Sequence, residues 1–66
     1  MFTIETDQEA DGRWIAEVVD LPGCMAYGKT QADALARTKA LALRVLADRM
    51  EHGEPAPAGD ELFSIA

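Results

Sequence analysis

Residues 23–30 read GCMAYGKT. The string satisfies the phosphate-loop pattern G-x-x-x-x-G-K-S/T letter for letter, in which backbone N–H groups and the lysine hold nucleotide phosphates. That chemistry needs the residues between the glycines to curl, so that successive N–H groups converge on one anion. Cys24, Met25, Ala26 and Tyr27 instead read as a short, partly buried strand, and a strand points successive N–H groups in opposite directions. A nucleotide hydrolase also needs a carboxylate on a later strand to hold Mg²⁺, and only a short tail follows the next helix. We therefore read the match as coincidence, with Gly28 ending a strand, Thr30 capping a helix and Lys29 solvated.

The remaining reactive residue types form weaker constellations. Cys24 is the single cysteine and His52 the single histidine. As a nucleophile pair they lack an orienting group, and as metal ligands they lack a repeated spacing. No catalytic residue and no metal or other cofactor is expected. Glu5, Asp7, Glu17 and Asp20 are carboxylates on or near a hairpin. Solvated surface is their default reading.

These residues sit on recognisable elements. FTIET alternates apolar and polar residues, which predicts a half-buried strand over about 2–6. DQEADG closes with Asp-Gly, a hairpin signal. RWIAEVV predicts a second strand over 13–19, with Trp14, Ala16 and Val18 on one face and Ile15, Glu17 and Val19 on the other. DLPG is a turn, with Pro22 fixing φ and Gly23 taking the positive φ after it. A third strand is predicted over 24–27.

Thr30 opens a helix predicted over 31–51, a stretch without Gly or Pro and rich in Ala, Leu, Arg and Lys. Ala34, Leu35, Thr38, Leu41, Ala42, Val45 and Leu46 recur at three- and four-residue intervals and form its core face. Asp33, Arg37, Arg44, Asp48 and Glu51 lie on the other side. Leu43 and Met50 fall off the main stripe, either widening the core or meeting another subunit. Gly53 stops the helix, Pro55 and Pro57 make 53–59 a linker, and Leu62, Phe63 and Ile65 suggest a short strand over 61–65. The expected architecture is α+β, one domain over 1–66 in the order β-β-β-α-β, with a three-stranded antiparallel sheet packed on one long helix.

Composition narrows the function classes. A chain of 66 residues buries only about 60% of the surface its unfolded chain exposes, which leaves it marginal alone; self-association is one remedy, so a homodimer or higher oligomer is expected, with Leu43 and Met50 as contacts. Twelve acidic residues against six basic give a net charge of −6. Such a chain repels nucleic acid and attracts basic proteins. It carries no leader-like N-terminus and no membrane-length apolar run. With one unpaired cysteine, a soluble cytoplasmic protein is expected.

The run RWIAEVVDLPGCMAYGKTQADAL resembles the N-terminal domain of HicB-family antitoxins. The similarity lies in Trp14, Ala16, Glu17 and Val18 of an aromatic-led strand, then Asp20-Leu21-Pro22-Gly23-Cys24. The Gly28-x-Thr30 step and the Asp33-Ala34-Leu35 helix start follow, and Gly53-Glu54-Pro55-Ala56-Pro57 comes after the helix. The resemblance spans Phe2 to about Pro57. Val19 stands where the family often has proline. The chain also ends at Ala66, where full-length members carry a further DNA-binding domain, so direct operator binding is not expected.

The resemblance implies a cut-down ribonuclease H-like fold without nuclease carboxylates. It also implies a partner, a small basic HicA-like toxin that cleaves mRNA with a catalytic histidine and is neutralised by covering its RNA-binding surface. Glu5, Glu17 and Asp20 are the expected contacts to basic groups, with Leu21 beside them; Trp14 and Tyr27 either add an aromatic anchor or pack in the core against the helix. The alternative is a stand-alone oligomeric structural or adaptor domain of the same fold with no toxin partner.

Overall fold

The computed structural model describes residues 2–53 and 63–65. Three strands, β1 (Phe2–Gln8), β2 (Trp14–Val18) and β3 (Met25–Gly28), precede the helix α1 (Gln31–Glu51), and β4 (Phe63–Ile65) follows it. The α+β class and the element order match the sequence reading. The sheet has the order β3-β2-β1-β4. Its first three strands are antiparallel, and β4 adds a fourth, parallel to β1, with Phe2 opposite Phe63. A parallel partner needs a long crossover, and α1 provides it. The rings of Phe2 and Phe63 lie 6.2 Å apart at that junction.

The first hairpin is tighter than its sequence suggests. Gln8 pairs with Trp14, so β1 runs two residues past the expected end at position 6. The loop shrinks to Ala10, Asp11 and Gly12. The Glu9 N–H donates to the Arg13 carbonyl at 2.7 Å, and Gly12 takes φ +93°. The DLPG turn is as expected. The Cys24 N–H donates to the Leu21 carbonyl at 3.0 Å across Pro22 and Gly23, whose φ is +83°.

Thr30 caps α1, its side-chain oxygen accepting from the Asp33 N–H at 3.0 Å. Ala34, Thr38, Ala42 and Leu46 form the buried ridge. They meet Ile4, Ala16, Val18, Leu21 and Cys24 in the core, with Leu35 and Leu41 at its margin. Two alanines on the ridge let the helix lie close to the sheet. Thr38 is fully buried, and its hydroxyl donates to the Ala16 carbonyl at 3.0 Å, which satisfies the polar group. Positions 54–59 of the predicted linker and positions 61 and 62 of the last predicted strand fall outside the described residues.

Candidate functional site: an open sheet face

Strand alternation divides the sheet residues into two sets. One set faces α1: Ile4, Thr6, Trp14, Ala16, Val18, Ala26 and Gly28. The other faces away from the helix, and the pairings place its members side by side. Glu5 stands opposite Glu17, which stands opposite Met25; Asp7 stands opposite Ile15, which stands opposite Tyr27. Glu5, Asp7, Ile15, Glu17 and Met25, with Thr6, line a shallow hollow of about 350 Å³ on this face. Met25, Tyr27 and Val19 are between 40% and 44% exposed, a high value for large apolar side chains.

The surface thus combines three carboxylates with an apolar strip. Like charges directly opposite one another in an antiparallel pair are destabilising, so Glu5 and Glu17 oppose the fold that holds them. Among the described residues neither glutamate takes part in an ion pair. Arg13, at the end of the hairpin, is instead paired with Asp11 at 2.8 Å and lies over the Tyr27 ring at 4.7 Å. The Arg13 backbone N–H donates to Asp11 Oδ1, and this bond, with help from the guanidinium, holds the Asp11 carboxyl below its ordinary value.

Of the residues the sequence pointed to, the structure gathers Glu5, Glu17 and Tyr27 on this face. Asp20 lies at its end, where its carboxylate accepts from the Thr3 N–H at 2.7 Å and so extends the β1–β2 ladder. Two expected contacts need correction. Leu21 is 2% exposed, because the Pro22-Gly23 turn folds it inward onto the core. Trp14 is half-buried and packs against the core from the helix side, opposite Gly28. Asp7, Ile15 and Met25 belong to the face but were not among the expected contacts. Alternation already placed Ile15 beside Glu17, while Met25 could be added only once the β2–β3 register was known.

The GCMAYGKT segment also has a definite structural role. A Cβ on Gly28 would stand 2.4 Å from the Ala34 nitrogen, so glycine lets the first turn of α1 lie directly on β3. Two N–H groups of the first helical turn, and the Lys29 N–H just before it, are bonded locally. The Asp33 N–H donates to Thr30 Oγ1, the Ala34 N–H to the Thr30 carbonyl, and the Lys29 N–H to Asp33 Oδ2. Arg13, Lys29 and Arg37 border a second hollow of about 200 Å³ beside Tyr27, and Arg37 is paired with Asp33 at 3.3 Å.

Cys24 is 3% exposed. Its Sγ lies 3.9 Å from the Thr38 carbonyl, and burial raises its thiol pKa above the ordinary value. His52 caps the far end of α1, its N–H donating to the carbonyls of Asp48 and Arg49. The two side chains therefore serve different ends of the structure. Among the described residues no group of three His, Cys, Asp or Glu is placed to hold a metal ion, and no helix is long and apolar enough to cross a membrane.

The fold and this surface define a small sheet-on-helix α+β domain whose second sheet face is open, acidic and partly apolar. A UPF0150 protein of Thermoplasma acidophilum is 30% identical to this chain over 56 residues, which cover 85% of this chain and 81% of that protein. The chain belongs to the UPF0150 family. No family model and no solved structure matches it.

Proposed function

We infer that this domain is a HicB-like antitoxin module, and that it neutralises a small basic mRNA-cleaving toxin by covering its RNA-binding surface. The carrying observation is the open sheet face, where Glu5, Asp7 and Glu17 surround Ile15 and Met25. Carboxylates on a rigid sheet compete with RNA phosphates for the cations of the toxin, and the apolar strip supplies the desolvated centre that a stable protein interface needs. Membership of UPF0150 and the sequence resemblance to HicB-family domains support the same reading. The domain acts by occlusion, and none of its side chains takes part in bond cleavage.

The test is an RNA-cleavage assay with a purified HicA-like toxin from the same genome, titrated with this chain. Cleavage is expected to stop near equimolar antitoxin. Glu5→Lys with Glu17→Lys should abolish protection, while Arg44→Glu, on the helix, should leave it intact. Undiminished cleavage at large excess of the wild-type chain would refute the proposal.

A further inference from the structure

The helix carries a second apolar stripe, pointing away from the sheet. Ala36, Ala40, Leu43, Ala47 and Met50 recur at alternating steps of four and three residues, the spacing of a coiled-coil seam. At 100° per residue the stripe is centred about 140° around the helix from the buried ridge of Ala34, Thr38, Ala42 and Leu46. All five are exposed, Leu43 by 48% and Met50 by 62%. They are therefore not a widened core, and α1 is apolar on two sides.

We propose that this stripe is a homodimer interface in which two copies of α1 pack antiparallel. Two observations select a second copy as the occupant. The first is size. In an antiparallel pair that sets Leu43 on the partner's Ala47, Met50 falls on the partner's Ala40, so each large side chain meets a small one in both directions. The second is charge. Arg37, Arg44 and Glu51 flank the stripe on one side at intervals of seven residues. In the same register Arg37 comes alongside the partner's Glu51, twice by symmetry, while the two Arg44 side chains oppose each other near the axis. Two attractive pairs against one repulsive pair favour this orientation. A parallel pair would set like residues side by side, Met50 on Met50 and Leu43 on Leu43, with no alanine to receive either. The stripe and the open sheet face lie on opposite sides of the molecule, so a dimer leaves both sheet faces accessible.

Sedimentation equilibrium of the full chain at micromolar to millimolar concentration tests the association. A dimer is expected. Leu43→Glu and, separately, Met50→Glu should each raise its dissociation constant at least about tenfold with an unchanged circular dichroism spectrum. Glu17→Lys should leave it unchanged. A wild-type monomer throughout that range overturns the proposal, as does a dimer indifferent to both helix substitutions. Orientation is read by mixing Ala40→Cys chains with Met50→Cys chains under mild oxidation. The antiparallel register yields the mixed disulfide, because position 40 lies about 15 Å along the helix from its own copy, beyond disulfide reach. Recovery of Ala40→Cys homodimers alone would overturn the antiparallel arrangement.

Discussion

Gly28 is held to a bare hydrogen by the backbone of Asp33 and Ala34, which a side chain there would enter. Because the obstacle is backbone, it cannot rotate aside. Gly28→Ala should cost at least about 1–3 kcal/mol, the usual range for overpacking, read as a lower urea midpoint. An unchanged midpoint would show that α1 can shift at no cost. Glu17 makes the opposite prediction. It faces Glu5 across the β1–β2 pair, so Glu17→Gln should stabilise the free domain by roughly 0.2–1 kcal/mol. The gain should shrink in high salt, because the repulsion is exposed to screening. Stability gained together with toxin protection lost would be the signature of a residue kept for binding. Cys24 is shielded and its pKa is raised by burial. A thiol with a folded pKa above its unfolded value leaves stability intact below the unfolded value and erodes it as pH rises toward the folded one. The urea midpoint should therefore fall as pH climbs past about 9, less so in Cys24→Ala, and thiol reagents should react at neutral pH only as the fold opens.

At the scale of elements, the helix was fully legible. Its cap, its length and its buried ridge are local properties of 30–53, and α1 spans Gln31–Glu51 as the sequence predicts. Thr30→Ala should remove about 0.5–2 kcal/mol of stability by freeing the Asp33 N–H. The sheet was less legible, because strand pairing joins residues that are distant in sequence. Alternation separated Trp14 from Ile15, yet the loop length of the hairpin and the partner of β4 depend on registers that no local pattern encodes. Thr38 illustrates the same limit. It reads as one position of an apolar stripe, while its hydroxyl reaches a strand carbonyl 22 residues away. Thr38→Val should cost about 1 kcal/mol, the net value of such a bond, and a neutral substitution would mean that the Ala16 carbonyl is satisfied without it.

At the scale of the whole molecule, the net charge of −6 is distributed unevenly. Carboxylates gather on the open sheet face, while Arg13, Lys29 and Arg37 border the β3 edge. Association with a basic toxin should accordingly be fast at low ionic strength and slow several-fold on approaching physiological salt, where the Debye length falls to about 8 Å. Stopped-flow measurement across a salt series checks this, and a salt-independent rate would remove electrostatics from the recognition mechanism. Glu5→Gln should flatten the same series.

The amino-acid sequence determined by itself what depends on near neighbours: the helix and its caps, the Pro22-Gly23 turn, the two faces of each strand and the excess of negative charge. The tertiary structure decided everything that depends on which strand lies beside which. It turned Leu21 and Trp14 toward the core, set Glu5 directly across from Glu17 with Met25 beside them, and gave β4 its place beside β1. It also gave Gly28 its structural reason, a close approach to the first turn of α1. The physical difference is range. Backbone propensity and periodicity act over a few residues, whereas register and packing are fixed only when distant segments close on one another.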